Sequence, residues 1–288
     1  MSSARTESVE DRDGLLSQPD HMRDMDRIEM EVVALHRPFA SVTRVTGRIA
    51  PQDPAAWQPA NQAVRIEVEQ AEGLRPVSRI YTVRSFDPAT YLLEIDFVMH
   101  EDDSPAMRWL RAAQAGDRVW MIGPRQHFVP NHAPGRRAAI LADETAIPAV
   151  HAILNDWPAG APGELWIETR DAAAAAELHL PAGVTLNLLL LDSPAAAGST
   201  GRLVAAAKSV LQDRAGWTIW AAGERQEMRD LRDHARALGC PRGDVRVFGY
   251  WKKGMSSSEI DRIRLAEYGK LRARGDRMES LSDADLPI

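Results

Sequence analysis

The chain has 288 residues, 44% hydrophobic and 26% charged, enough for two domains with cores of their own and incompatible with global disorder. Its 41 acids against 35 bases give a formal net charge of -6, without the basic field that nucleic-acid binding calls for. One cysteine, Cys240, excludes an intramolecular disulfide, a Cys-rich zinc site and a thiolate-held iron–sulfur cluster.

Residues 1–27 are polar, with acids at Glu7, Glu10, Asp11, Asp13, Asp20, Asp24 and Asp26, and read as a flexible tail. They lack the apolar stretch of a secretory signal. No run in the chain reaches the roughly 18 apolar residues of a membrane-spanning helix. The expectation is a cytoplasmic protein with no membrane or nucleic-acid partner.

Residues 28–134 carry six strand signals: MEVVALHRPF, SVTRVTGRIA, NQAVRIEVEQ, SRIYTVRSFD, TYLLEIDFVMH and DRVWMIGPRQHF. Turn-forming Pro, Gly and Asp clusters separate them, as at Pro51–Pro59 and Glu72-Gly73. Their number and spacing predict an antiparallel barrel. SPAMRWLRAAQAG (104–116) interrupts the series as a short helix with Ser104 at the N-cap, Pro105 at the first position and Gly116 as its stop.

From residue 135 to 255 the pattern changes. The apolar strands RRAAILAD, ELWIETR, TLNLLLLD, WTIWAAG and DVRVFGYW alternate with the helical stretches TAIPAVHAILNDW, RLVAAAKSVL and QEMRDLRDHARALG. Continuous apolar strands between helices predict a parallel sheet covered on both faces. Residues 256–288 form a C-terminal helix and tail: Ser256 and Glu259 have capping-box spacing, and Ile260, Ile263, Tyr268 and Leu271 offer a docking face. No exposed apolar stripe stands out, and a monomer is expected.

Among possible chemistries, metal binding and hydrolysis have no support. His127 and His132 lie in a Pro-rich loop without a carboxylate at matching spacing, and no nucleophile-elbow motif is present. The informative segment is SRIYTVRSFD (78–87), whose alternation places Arg79, Tyr81 and Val83 on one strand face and Ile80, Thr82 and Arg84 on the other.

Arg79-Ile80-Tyr81-Thr82 has the Arg-x-Tyr-(Ser/Thr) form of ferredoxin-reductase-like flavoproteins. With IDFVMH (95–100), AGD (115–117), GPR (123–125), ADETAIPAV (142–150), AAGE (221–224) and GYWKKG (249–254) in order, the chain resembles the siderophore-interacting protein family. The resemblance covers about Val42 to Gly254. It implies an FAD-binding barrel followed by an NAD(P)H-binding α/β domain. The implied activity is that of a ferric-siderophore reductase, in which NAD(P)H reduces FAD and FAD reduces chelated Fe(III).

The resemblance also implies roles. Tyr81 packs on the flavin ring, Arg79 holds the pyrophosphate and Thr82 hydrogen-bonds near N5, which makes Tyr81 and Thr82 the residues closest to the chemistry. His100, Ser104 and Ala106 border the cofactor at the turn into the short helix, whose free N–H groups favour phosphate. Here that turn reads HEDDSPAM and departs from the family pattern at Glu101, Ser104 and Met107.

For the nucleotide, Asp143 and Thr145 lie at the first strand-to-helix turn of the α/β domain, which lacks a G-x-G-x-x-G motif. Ala222, Gly223 and Glu224 border the nicotinamide, and Trp251 stacks near the flavin. Lys252, Lys253 and Arg125 are cations for an anionic ferric chelate. Arg170 would receive a 2′-phosphate and inclines the reading to NADPH, whereas Glu168 would favour a ribose hydroxyl and NADH. A ferredoxin is an alternative electron donor. Another electron acceptor, or a siderophore- or flavin-binding module without turnover, are the alternative functions.

Overall fold

The computed structural model describes residues 22, 25–70, 76–100, 103–192 and 196–276. Most of the expected tail, the Glu72-Gly73 turn, Glu101 and the final residues lie outside them. Six strands form the first domain: β1 (Asp26–Phe39), β2 (Val42–Arg48), β3 (Gln62–Glu69), β4 (Val77–Asp87), β5 (Leu92–Val98) and β6 (Arg118–Gln126). They close into an antiparallel barrel in the order β1-β2-β5-β4-β3-β6, with β6 paired back to β1.

The first strand begins at Asp26, inside the segment expected to be tail. Arg27 explains the extension: it bonds the buried Glu67 through Nε and NH2, both at 2.9 Å, and lies 4.2 Å over the Trp120 ring. Barrel closure supplies a partner strand on which these residues can settle. The core is built from alternate strand positions, among them Met30, Val45, Ile66, Leu93, Ile95, Phe97 and Met121, all inaccessible to solvent. Helix α1 (Pro105–Ala112) buries Ala106, Met107 and Leu110 against this core. Ser104 takes the N-cap position with extended backbone and Pro105 follows, but the Ser104 hydroxyl does not cap the helix.

The second domain is a parallel sheet of β7 (Arg137–Asp143), β8 (Gly163–Thr169), β9 (Val184–Leu190), β10 (Trp217–Glu224) and β11 (Val245–Trp251), ordered β11-β10-β7-β8-β9. In central β7 every residue after Arg137 is buried, which is why its sequence shows a continuous apolar run instead of alternation. Helices α2 (Ile147–Asn155) and α3 (Ala172–Ala176) lie on one apolar layer, and α4 (Arg202–Val210) and α5 (Arg225–Ala237) on the other. Edge strand β9 leaves Leu188 and Leu190 39% and 48% exposed, an apolar edge that the sequence reading did not anticipate. The last helix, α6 (Ser257–Ala273), has the expected capping box and buries Ile260, Leu265 and Tyr268. No helix of the described residues is long and apolar enough to cross a membrane.

A buried ionic network joins the two domains. Arg44 of β2 donates to Asp96 at 2.6 and 3.0 Å and to Glu177, just after α3, at 2.8 Å through each terminal nitrogen. Arg84 of β4 donates to the same two acids at 3.0 and 2.7 Å. Nearby, Ser41 donates its amide and hydroxyl to Asp171, the N-cap of α3. Removing one member of a buried, mutually neutral group leaves a desolvated charge uncompensated. Asp96→Asn is therefore expected to lower unfolding free energy by about 3 kcal/mol, read as an earlier urea midpoint with an unchanged slope.

Candidate functional site

Strand β4 carries the residues expected to meet a flavin, and the barrel register sets their spacing. Tyr81 is half-buried, with its ring centroid 4.1 Å from that of Phe97, which stacks at 5.3 Å on Trp109 of α1. The Tyr81 ring is thus backed by aromatic groups on the core side. Thr82, also half-buried, pairs with Ala63 of β3, and Ala63 pairs on its other side with Arg125 of β6. Thr82 and the exposed Arg125 therefore lie two strand spacings apart, about 10 Å.

Arg79 is only 8% exposed, donating from NH1 to the Ser78 carbonyl at 2.9 Å and from NH2 to the Ser258 hydroxyl at 2.8 Å. The guanidinium still has N–H groups beyond those two bonds, so it fits the binding of a phosphate. His100 is exposed just past β5, Ser104 is half-buried and Ala106 is packed into the core. The buried Ala106 side chain supports the start of α1.

At the carboxyl ends of the parallel strands several of the expected residues are engaged with neighbouring segments of the chain. Asp143 is fully buried and acts as a hub. Its Oδ1 accepts from the Thr145 amide at 2.9 Å and the Thr145 hydroxyl at 2.5 Å; its Oδ2 accepts from the Glu224 amide at 2.9 Å and Trp251 Nε1 at 2.7 Å. Gly198 and Gly223 close it in: a Cβ at either would lie 2.3 or 2.5 Å from Oδ2, and Gly198 also has φ +79. Asp143 therefore shapes the turn from within, both of its oxygens taken up by neighbouring donors. It caps the 3-10 turn Glu144–Ala146, so α2 itself starts only at Ile147.

Glu224 is likewise occupied. It caps α5 through the Gln226 and Glu227 amides and accepts from the Lys253 amide at 3.0 Å. Ala222 is wholly buried, and with Gly223 it keeps this end of β10 thin. These residues form the floor of the site, leaving half-buried Thr145 and Trp251 nearer its surface. Glu168 is also buried, accepting from the Gly198 amide at 2.6 Å and from the Thr200 hydroxyl. Arg170 remains at the surface, its side chain 51% exposed and 3.3 Å from Glu144. Among the described residues the Lys252 and Lys253 side chains make long bonds, to Gln226 at 3.4 Å and Ser199 at 3.5 Å. His127 stacks on Phe248 and His132 meets Trp157 edge-on, so packing accounts for both rings.

The sequence reading missed Ser258, the two arginines and two acids of the interdomain network, and the Gly198–Thr200 segment that closes over Asp143 and Glu168. The SSSE capping pattern located the start of α6, but nothing in it distinguished Ser258 from its neighbours.

Burial raises the Asp143 pKa to about 7, against the opposing pull of its bonds from Thr145 and Trp251. The carboxyl thus holds its proton more tightly folded than unfolded. Its stabilising contribution is full below its ordinary value of 3.8 and is lost as pH rises through about 7. Between about pH 5 and pH 8 the stability advantage of wild type over Asp143→Ala is expected to shrink by roughly 3 kcal/mol. Paired urea titrations at the two pH values check this.

Comparisons with known proteins agree with this architecture. Residues 26–128 match the model of the siderophore-interacting FAD-binding domain, and residues 136–254 match that of the siderophore-interacting protein. The chain is 37% identical to ferric acinetobactin reductase of Acinetobacter baumannii, covering 99% of each chain. It is 29% identical to the ferric vibriobactin reductase ViuB of Vibrio cholerae, over 62% of this chain and 66% of that one. A solved siderophore-interacting protein from Acinetobacter baumannii superposes with TM-score 0.82 at 38% identity, covering 87% of this chain and all of the other. The ferredoxin reductase of a carbazole 1,9a-dioxygenase shares the fold, with TM-score 0.60 at 18% identity over 81% and 73% of the two chains. By its whole-length similarity and its two matched domains, the chain belongs to the siderophore-interacting protein family.

Proposed function

We propose that the protein is an FAD-dependent NAD(P)H oxidoreductase that reduces Fe(III) held in a siderophore. The observation that carries this reading is the whole-length identity with ferric acinetobactin reductase. The residues on β4 fit the cofactor. Arg79 is a buried cation with donors to spare, and Tyr81 is a half-buried ring on an aromatic backing. Bound FAD supplies a hydride acceptor that can release electrons singly to ferric ion.

The chain's own contribution is binding and position. Arg79 neutralises phosphate charge, Tyr81 offers a flat face, and Thr82 directs its hydroxyl chemistry to the same stretch of strand. Trp251 is held by Asp143 at the end of β11. Arg170, at the surface after β8, supports NADPH over NADH as the reductant. Lys252 and Lys253 give an anionic ferric chelate a cationic landing surface, with Arg125 on the barrel rim. Iron is the substrate and requires no protein ligand.

The purified protein is expected to be yellow, or to become so on reconstitution with FAD. Anaerobic NADPH should bleach it faster than NADH, and a ferric siderophore should restore the colour. A protein that takes up no FAD would overturn the enzyme reading; one that bleaches only with reduced ferredoxin would replace the nicotinamide donor.

The lysine assignment has its own test. Lys252→Ala/Lys253→Ala is expected to raise KM for an anionic ferric siderophore about tenfold at low salt, with the difference narrowing as salt screens the charge. Steady-state kinetics at two ionic strengths measure it. A salt-independent change in kcat alone would remove these lysines from substrate binding.

A further inference from the structure

The arginine that best fits a flavin diphosphate is held by a residue outside both matched domains. Those domains end at residues 128 and 254, whereas the Arg79 partner, Ser258, lies in the first turn of α6. Ser258 is 1% exposed and accepts from Arg79 NH2 at 2.8 Å. The contact is built from both sides. On α6, Ser256 and Glu259 form a reciprocal capping box that fixes the first turn. Asp261, one turn further, lies 3.6 Å from Arg65 of β3, which also donates to Ser78, the neighbour of Arg79, at 3.1 Å. Ile260 and Leu265, 4% and 8% exposed, seat the helix.

A buried guanidinium has several rotamers open to it unless its N–H groups are directed. The Ser78 carbonyl and the Ser258 hydroxyl direct one hydrogen each from NH1 and NH2, leaving Nε–H and the remaining hydrogens for a ligand. The Ser258 hydroxyl keeps its own hydrogen, which can donate to an acceptor beside Arg79. We propose that Ser258 is a positioning residue of the flavin site, its hydroxyl fixing the Arg79 guanidinium for the phosphate groups of FAD. The proposal rests on the reading of Arg79 as the diphosphate-binding residue. It makes α6 part of the cofactor site.

The test uses the full-length apoprotein and the quenching of flavin fluorescence on binding. The probes are FAD and riboflavin, which lacks phosphate. Ser258→Ala is expected to weaken FAD binding roughly tenfold and to leave riboflavin binding within about twofold. Ser258→Thr, which keeps the hydroxyl, should restore FAD affinity. In an Arg79→Ala background, adding Ser258→Ala should change nothing further, because the two act as one unit. If Ser258→Ala binds FAD like wild type while Arg79→Ala does not, the positioning role fails and the role of Arg79 stands. If Arg79→Ala binds FAD normally, the reading of Arg79 itself fails. Equal weakening of FAD and riboflavin by Ser258→Ala would signify displacement of α6 and also overturn the proposal.

Discussion

The placement of one domain against the other depends on a carboxylate between two arginines. Asp96 of the barrel receives both Arg44 and Arg84, and Glu177 of the α/β domain completes the group from the far side of the seam. Two cations and two anions leave the cluster neutral, and its directional hydrogen bonds accept one relative orientation where an apolar seam would tolerate sliding. His151 on α2 fits the same balance: burial first, and Arg84 second, lower its pKa, so that added positive charge beside the cluster is disfavoured. A reaction between two cofactors, each expected on a different domain, needs that fixed orientation more than it needs any catalytic acid or base.

A second carboxyl does for the carboxyl ends of the parallel strands what the network does for the seam. Asp143 gathers the Thr145 turn after β7, the Glu224 amide at the end of β10 and the Trp251 indole at the end of β11. Three neighbouring strand ends of the sheet are thus tied to one side chain, with Gly198 and Gly223 pressed against it. The familiar alternative is a glycine-rich turn whose amides face a phosphate. Here a side chain occupies the inside of the turn and claims those donors. Thr145, Trp251 and Arg170 are the expected residues left nearer the surface above it.

Much of the architecture was legible because each layer leaves a local imprint. Half-buried barrel strands alternate, while β7, covered on both faces, reads RAAILAD without interruption. The Arg79-to-Thr82 motif could be located for the same reason, being a property of one strand. The partners of Asp143, Glu168 and Glu224 were not legible, because an acid beside a strand end looks the same whether it meets a ligand or a neighbouring loop. Glu168 meets Gly198 and Thr200, about thirty residues away along the chain, and no local pattern encodes that meeting. The start of β1 was missed for a similar reason, since Arg27 is ordered by Glu67 and Trp120.

The same distinction explains how β4, the strand expected to face the flavin, is held. β4 is anchored at two points by segments remote in sequence: Arg79 by Ser258, 179 residues away, and Arg84 by Glu177, 93 residues away. Tyr81 and Thr82 lie between these anchors. Beyond them, between Val83 and Ser85, the pairing with β5 becomes irregular, so the ladder alone does not fix this stretch. One anchor comes from the α/β domain and the other from α6, so the barrel does not complete its own binding surface. A barrel fragment would retain the Arg-x-Tyr-Thr motif, with Arg79 on Ser78 and Arg84 on Asp96, and lose the Ser258 and Glu177 contacts that complete the setting of the two arginines.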